Sequence, residues 1–274
     1  MIPSPLKWHG GKHYLAAKIV GLMPPHVHYV EPFAGSLAVL LAKDPEGVSE
    51  VANDLDGRLT NFWRCLACVN SFAQLRRRVE ATPFCEAIWG EAREHLERTC
   101  HAPDTICLGC AWAFFIACRQ SLAGRMESFA PLSRRRVRRG MNEQTAAWLS
   151  AVDGLPLVHD RLRRVAIRCQ PAVEVIRKED GPDTLFYCDP PYLHSTRATT
   201  HEYGPYEMTS DAHADLLHTL ATIEGKFLLS GYANAMYDMV AEGRGWRRVD
   251  FDLPNNAASG GEKRRMVESV WCNF

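Results

Sequence analysis

The N-terminal part of the chain contains the feature that restricts its fold most: a strand, a tight loop, a helix and a second strand in succession. Residues 28–30 are strand-like, a loop with Gly35 follows, and residues 37–42 are good helix formers. Residues 48–53 have the composition of a second strand. This order favours a parallel sheet with a right-handed crossover. We therefore expect residues 1–60 to begin a doubly wound α/β fold.

The pattern changes after residue 58. From Leu59 to Trp148 apolar residues recur at helical spacing, with little strand alternation. Strand patterns return at residues 165–167, 184–188, 226–230 and 266–271, and a loop is predicted at residues 255–261. The sequence therefore predicts a Rossmann-like α/β domain at residues 1–58 and 159–274, with a helical insertion at residues 59–158.

Composition excludes several classes of protein. Hydrophobic residues make up 46% and charged residues 23% of the 274 residues, which is close to the average for globular proteins and argues against disorder or a coiled coil. No apolar run reaches the roughly 18–20 residues that a membrane span needs. The N-terminus lacks the pattern of a secretory signal. We expect a monomeric, cytoplasmic protein without an obligate protein partner, whose cysteines remain free thiols.

A tetrapeptide of unusual composition, Asp189-Pro190-Pro191-Tyr192, directly follows the apolar residues 185–188. Ligands of open α/β sheets bind at the carboxyl ends of strands, where this segment is expected to lie. Two successive prolines fix φ and lack an N–H, so their carbonyl oxygens accept hydrogen bonds without competing donors, and Asp189 is a further acceptor. The alternative is an ordinary proline-rich turn.

These acceptors suit the exocyclic amino group of a planar base. Its nitrogen lone pair is delocalised into the ring, and hydrogen bonds from both N–H groups draw the nitrogen towards tetrahedral geometry and free that lone pair. The ring of Tyr192 can stack on the base, a contact worth roughly 1–3 kcal/mol. A base inside a duplex must first be flipped out. We therefore predict Asp189, Pro190, Pro191 and Tyr192 as catalytic residues.

The residues that follow the first two strands predict a nucleoside-binding site. Gly35 lies where the first strand turns into a helix, and Asp54 follows nineteen residues later. An acid at about this distance is how α/β folds hold the hydroxyls of an adenosine ribose. The loop lacks the three-glycine fingerprint for pyrophosphate, which favours S-adenosylmethionine. The alternative is a plain strand-to-helix turn with a surface Asp.

The N-terminal segment Lys7-Trp8-His9-Gly10-Gly11-Lys12 is a third candidate for ligand binding. Its paired glycines let the backbone pass close to a ligand. Lys12 can meet a carboxylate, and Trp8 can cover a ring or a sulfonium. A basic amphipathic start to a helix explains the segment nearly as well.

Taken together and in this order, these segments resemble the motifs of the Dam-type (D12 class, α-group) DNA adenine-N6 methyltransferases. The resemblance covers roughly the first 60 and the last 90 residues, including Leu229-Ser230-Gly231-Tyr232 and residues 267–273 as closing strands. It implies an S-adenosylmethionine-dependent methyltransferase that acts on double-stranded DNA. It also implies that the cofactor is contacted by Trp8, Lys12, Phe33, Gly35, Asp54 and Asp189.

The recognition insertion departs from the family pattern. The family has an Asn-Arg pair followed by a Phe-Asn-Gly stretch, whereas this chain has Cys118-Arg119-Gln120-Ser121-Leu122-Ala123-Gly124-Arg125. Arg119 and Gly124 are the counterparts, and the departure leaves the target sequence open. Because Arg and Gln side chains recognise guanine and adenine edges, we predict Arg119, Gln120 and Arg125 as base-reading residues.

A neutral chain contains a strongly basic segment. The whole chain has 32 Lys plus Arg and 32 Asp plus Glu, yet residues 134–168 contain nine Arg and three acidic residues. Phosphate contacts position a duplex and make its binding salt dependent. The alternative is a solvated helix face or internal ion pairs. The second run comprises Arg161, Arg163, Arg164 and Arg168. We predict that DNA is bound by the first run, which comprises Arg134, Arg135, Arg136, Arg138 and Arg139.

The sequence offers one candidate metal site and three alternative functions. The pairs Cys65-x-x-Cys68 and Cys107-x-x-Cys110 are 38 residues apart, beyond the roughly 15–20 typical of zinc sites, so we predict buried thiols and no metal. Cytosine-N4 methylation uses the same amine chemistry, although it more often has Ser in place of Asp189. RNA as substrate and a DNA-binding relative without catalysis are the remaining alternatives.

Overall fold

The computed structural model describes residues 1–8, 10–99, 105–197, 204–254 and 265–274. The predicted loop at residues 255–261 and His9 of the N-terminal segment lie outside these ranges. The chain forms two compact units. The first comprises residues 1–22, 34–46 and 56–169, and the second comprises residues 23–33, 47–55 and 170–274. The predicted insertion at residues 59–158 lies within the first unit, together with the N-terminal segment.

The strands form a seven-stranded, mostly parallel sheet and a small hairpin. The strands are β1 His28–Glu31, β2 Ser49–Asn53, β3 Val137–Arg138, β4 Met141–Asn142, β5 Val165–Arg168, β6 Thr184–Cys188, β7 Lys226–Gly231, β8 Arg247–Pro254 and β9 Arg265–Cys272. The large sheet has the order β5-β2-β1-β6-β7-β9-β8, and β3 pairs with β4. Its α/β class confirms the prediction from the sequence.

Three strand pairs position the functional residues. β1 pairs in parallel with β2 and with β6, and β6 pairs in parallel with β7. β1 therefore has its successor in the chain on one side and a much later strand on the other. This is the switch point at which open α/β sheets bind ligands, beyond the carboxyl ends of the strands. β9 returns antiparallel between β7 and β8.

Edge strand β8 was missed by the sequence analysis. Along it, half-buried Val249 and Phe251 alternate with exposed Asp250 and Asp252, the two-residue period of a strand with one buried face. Arg248 bridges Asp250 to Asp238 at 2.9 Å. Because every second residue is charged, this strand contains no continuous apolar run and was not predicted from the sequence.

The helices between residues 57 and 162 confirm the predicted helical stretch. In chain order the helices are α1 Ala16–Val20, α2 Ala38–Ala42, α3 Gly57–Ala67, α4 Val69–Glu80, α5 Glu86–Arg98, α6 Leu108–Arg119, α7 Glu143–Leu162, α8 Ala172–Lys178, α9 Ser210–Leu220 and α10 Ala235–Arg244. Helix α6 is buried at eight of its positions, because it is apolar on nearly every side. Asp56 caps α3 by accepting from the amides of Arg58 and Leu59.

The core of the second unit forms around β6, whose five residues are all buried. Val30, Phe186, Phe227 and Trp271 are fully buried in the same cluster. A central parallel strand is buried on both faces of its sheet, and its sequence is therefore a continuous apolar run. The segment Asp189-Pro190-Pro191-Tyr192 therefore follows a strand whose five residues are all buried.

Buried His213 on α9 predicts an acid-sensitive stability. Its Nδ1 shares a 2.8 Å hydrogen bond with the Tyr237 hydroxyl. Burial, then the charges of Arg197 and His194, lower its pKa to about 4, against a rise caused by the Pro191 carbonyl. Between pH 6.5 and about 4 the unfolded chain therefore binds a proton that the folded chain does not. Stability should fall as the pH falls through this window, by at most about 1.4 kcal/mol per pH unit.

Urea unfolding at several pH values measures this slope. His213→Gln should flatten the dependence between pH 4 and 6.5, whereas His218→Gln, at an exposed position of the same helix, should leave it unchanged. Equal slopes for His213→Gln and the wild type would show that His213 takes up its proton in the folded state.

Candidate active site

Asp189-Pro190-Pro191-Tyr192 leaves the carboxyl end of β6, and its aromatic side chain is firmly held. Tyr192 is 7% exposed. Its hydroxyl donates to the carboxylate of Glu268 on β9 and lies 3.3 Å from Asp189 Oδ1. Its ring meets the ring of Tyr232 edge-on, with 4.8 Å between centroids. The predicted acceptor Asp189 and the predicted stacking ring are thus neighbours.

Three carboxylates act on the buried tyrosines of this site. Burial raises the pKa of Tyr187 well above its usual value, and the charges of Asp189, Glu268 and Glu31 raise it further. Burial, followed by Asp189 and Glu268, does the same for Tyr192. Both hydroxyls therefore stay protonated, and that of Tyr192 donates to Glu268. A concentration of negative charge at the ends of β1 and β6 favours a cationic ligand and an amine that donates hydrogen bonds.

A buried asparagine ties the end of β1 to the end of β2. Asn53 Nδ2 donates to the carbonyls of Pro32 and Gln170, both at 2.9 Å, and Asn53 Oδ1 accepts from the Gln170 amide at 2.9 Å. Its neighbour Asp54 and the loop residue Phe33 are both half-buried. The sheet therefore brings Phe33, Asp54 and Asp189 to the ends of three adjacent strands, as the sequence predicted.

The first unit places Trp8 against Gly35. A Cβ atom at Gly35, whose φ is +46°, would lie 3.0 Å from Trp8 Nε1, so glycine permits both the turn and this approach. The Gly35 carbonyl accepts from Trp63 Nε1 at 3.1 Å. Lys12 is 7% exposed, and its ammonium donates to the Gly10 carbonyl at 2.8 Å. Of the six candidates for contact with the cofactor, Trp8, Lys12 and Gly35 thus belong to this unit.

Gly124, in the predicted recognition stretch, packs against the N-terminal segment. Its φ is +77°, and a Cβ there would lie 2.0 Å from the Lys7 carbonyl oxygen. The same oxygen accepts from Cys118 Sγ at 2.9 Å. Gly124→Ala should therefore lower the free energy of unfolding by about 3 kcal/mol, combining left-handed backbone strain with overpacking.

Denaturant unfolding of Gly124→Ala beside Gly90→Ala tests this contact. Gly90 lies inside α5, and a Cβ there would meet nothing within 4 Å. The control should stabilise the protein by roughly 0.5–1 kcal/mol, since alanine is the better helix former. Equal stability of Gly124→Ala and the wild type would contradict the close approach to Lys7.

Two of the predicted base-reading residues are turned inward. The prediction for Gln120 is wrong, because it is 0% exposed: its Nε2 donates to the Pro83 carbonyl and its Oε1 accepts from the Cys85 amide, both at 3.0 Å. Arg119 is largely buried, which lowers its pKa, and its Nη2 donates to the Ala147 carbonyl at 2.9 Å. Arg125 is exposed and stays a candidate.

The first arginine run forms an exposed β-hairpin. Strands β3 and β4 are joined by Arg139 and Gly140, both with positive φ, as two-residue hairpin turns require. Arg136 faces Glu143 at 3.4 Å and Arg139 faces Asp153 at 3.5 Å. Among the described residues no acidic partner faces the other three, which are Arg134, Arg135 and Arg138.

The second arginine run is structural in two of its members. Arg161 is 6% exposed, and its Nη2 donates to the Leu40 carbonyl at 3.0 Å. Arg164 pairs with Glu46 at 2.8 Å and donates to the Pro45 carbonyl. Arg161 is therefore held in the interior of its own unit, whereas Arg164 is exposed and pairs with Glu46 at the surface.

The cysteine pairs are thiols in the described structure. Cys107 Sγ and Cys110 Sγ lie 3.2 Å apart, and burial raises the pKa of Cys65 and of Cys110 to about 12. Within the described ranges no group of three or more His, Cys, Asp or Glu side chains is arranged to hold a metal ion. The absence of a metal stays a prediction.

No helix of the described part has both the length and the apolar character to cross a membrane.

Three residues of the site were not assigned a role from the sequence: Glu31, Asn53 and Glu268. Glu31 is buried and accepts from the Tyr29 hydroxyl at 2.7 Å. Each is a polar residue in or beside an apolar strand, which is the signal that a search could have used. The partners of Asn53 and Glu268 come from distant parts of the chain, so the roles of these two residues required the structure.

Comparison with known families agrees with this geometry. A family model of D12 class N6 adenine-specific DNA methyltransferases matches residues 8–99 and 143–250, which is most of the chain. The matched segments exclude the arginine hairpin and β9. No curated protein matches the chain. The sheet, the Asp189 tetrapeptide and the extent of this match show that the chain belongs to the D12 class N6 adenine-specific DNA methyltransferase family.

Proposed function

We propose that this methyltransferase transfers a methyl group from S-adenosylmethionine to N6 of an adenine flipped out of double-stranded DNA. The family supports adenine-N6 methylation of DNA. The observation that carries the finer proposal is the juxtaposition of Asp189 and Tyr192 at the end of buried β6. It places a carboxylate acceptor next to an aromatic ring, with 3.3 Å between Asp189 Oδ1 and the Tyr192 hydroxyl.

The side chains at this edge account for the chemistry. Asp189 and the Pro190 carbonyl are proposed to accept the two N6–H groups, which orients the nitrogen lone pair. When bound, the cofactor supplies an activated methyl group whose bond to sulfur breaks as the bond to N6 forms. The amine loses its proton only afterwards, so no strong base is needed. Catalysis then rests mainly on positioning.

The proposed cofactor contacts fit the residues present. The acidic edge formed by Glu31, Asp189 and Glu268 suits the positive sulfonium. Half-buried Asp54 has a carboxylate for the ribose hydroxyls, and half-buried Phe33 has an apolar ring for the adenine. The roles of Trp8, Lys12 and Gly35 rest on the family resemblance. Cytoplasmic location and a monomeric state stay predictions.

The arginine hairpin supports duplex DNA as the substrate. A two-stranded ribbon fits the major groove of B-DNA, and the exposed arginines on and before β3 can contact its phosphates. We propose that the hairpin positions the duplex and that exposed Arg125 contributes to base reading.

Incubation with unmethylated duplex DNA and S-adenosylmethionine, followed by nucleoside digestion and mass spectrometry, tests this function. N6-methyladenine is the expected product, and mapping of the modified sites gives the target sequence. A cofactor-dependent rise in melting temperature should accompany it. N4-methylcytosine as the only product would replace adenine as the target. No product from DNA, with methylation of RNA instead, would overturn the duplex proposal.

A further inference from the structure

We propose that Glu268 on β9 is a positioning residue that holds the Tyr192 hydroxyl and thereby keeps Asp189 available for the target amine. This inference rests on the proposed function. Glu268 lies outside the segments that the family model matches. It reaches the site because β9 pairs with β7, with Ser269 opposite Gly231, so that Glu268 lies beside the chain that continues into Tyr232.

The Tyr192 hydroxyl has one proton and two neighbouring carboxylates. It donates to Glu268 Oε1, whereas Asp189 Oδ1 lies 3.3 Å away, beyond the usual range of O–H···O hydrogen bonds. Glu268 is therefore the stronger acceptor, and the contact with Asp189 is the longer and weaker of the two. Because burial and the two carboxylates raise the pKa of Tyr192 well above its ordinary value, the hydroxyl retains its proton.

This choice of acceptor affects Asp189. Without the Glu268 carboxylate, the buried hydroxyl loses its stronger acceptor, and a poorly paired buried donor is costly, which favours a shorter hydrogen bond to Asp189. Asp189 is already within 3.3 Å. A hydrogen bond from Tyr192 to Asp189 would compete with the N6–H group that the same carboxylate is proposed to accept. Glu268 thus removes an internal competitor for the catalytic carboxylate.

Glu268 also fixes the ring that covers the base. The hydroxyl end is held by Glu268, and the ring edge is held by Tyr232 at 4.8 Å between centroids. Two contacts at different points of one planar group leave it little rotational freedom. The stacking face of Tyr192 is therefore oriented before a base arrives.

Single-turnover methylation of unmethylated duplex DNA at saturating S-adenosylmethionine tests the proposal in four variants. Glu268→Ala should slow the step about 10-fold, while Glu268→Gln, which still accepts a hydrogen bond, should slow it only about 3-fold. Tyr192→Phe should also cost about 3-fold. The double variant should match Tyr192→Phe, because phenylalanine has no hydroxyl to compete for Asp189. If Glu268 were merely structural, adding Tyr192→Phe would not restore the rate that Glu268→Ala loses.

Two controls separate this role from loss of the fold or of the cofactor. Glu242→Ala removes a carboxylate at an exposed position of α10 and should react at the wild-type rate. The dissociation constant for S-adenosylmethionine should be unchanged in Glu268→Ala. If Glu268→Ala does not fold, Glu268→Gln takes its place. The double variant Glu268→Gln/Tyr192→Phe should then react at the same rate as Tyr192→Phe alone.

Defined outcomes would overturn the proposal. A wild-type rate for Glu268→Ala would do so, and so would a double variant whose loss is the product of the two single losses. Failure of the proposed function is distinguishable, since the wild type would then form no N6-methyladenine. In that case a double-mutant cycle of melting temperatures still tests the hydrogen bond between Tyr192 and Glu268. Removal of the Glu268 carboxylate should lower the melting temperature less in Tyr192→Phe than in the wild type.

Discussion

Asp189→Ala is expected to lower the rate of methyl transfer about 10³-fold, the upper range for removal of one preorganised polar partner in an active site. The alanine leaves the target amine with the Pro190 carbonyl alone, so its lone pair is no longer oriented for attack. The side chain removed is beside Tyr192 at the end of β6, not within the apolar core. The fold should therefore persist. Mass spectrometry of digested DNA under single-turnover conditions measures the loss.

Glu242→Ala on α10 is the control, since it also removes a carboxylate from the second unit, at an exposed position. It should methylate DNA at the wild-type rate. Circular dichroism should show both variants folded. Near-normal turnover by Asp189→Ala would contradict the catalytic assignment and, with it, the interpretation of the tetrapeptide.

Replacing Arg134, Arg135 and Arg138 together by alanine is expected to have the second largest effect. These exposed arginines have no acidic partner within the described ranges, so their charge is available to phosphates. Each phosphate contact contributes about 0.9 to the slope of log K against log salt concentration. The triple variant should therefore lose about 3 units of slope. Fluorescence anisotropy of a labelled duplex at several salt concentrations measures it.

Three other exposed arginines of the first unit provide a control of equal charge. Arg76 and Arg77 lie on α4 and Arg98 lies on α5, and two of them already pair with Glu80 and Glu94. Their joint replacement should leave the slope unchanged. If the two triple variants lost the same slope, binding would depend on total charge and not on the hairpin.

Local sequence was sufficient for much of the sheet. Residues 184–188 form an apolar run, and such a run before Asp189-Pro190-Pro191 specifies a buried parallel strand followed by a rigid turn without N–H donors. The same holds for the strand, glycine turn and helix around Gly35. These features depend on residues within a few positions of one another, so a single sequence reveals them.

Side-chain direction was not available from local sequence. Gln120 and Arg161 looked like polar surface residues, yet both are buried and donate to carbonyls 37 and 121 positions away. Burial of a polar side chain depends on whether the fold supplies partners for it. β8 was missed for a related reason, because an edge strand needs only one buried face.

The α/β class, the order of the motifs and the position of Asp189-Pro190-Pro191-Tyr192 after a strand could be predicted from local sequence, since periodicity, glycine and proline act through nearby backbone. The three-dimensional structure was needed to show that Asn53 ties two strand ends together, that the arginine hairpin is exposed, and that Glu268 accepts from Tyr192, 76 positions away. Hydrogen bonds between distant residues depend on strand order and register, which no local pattern contains.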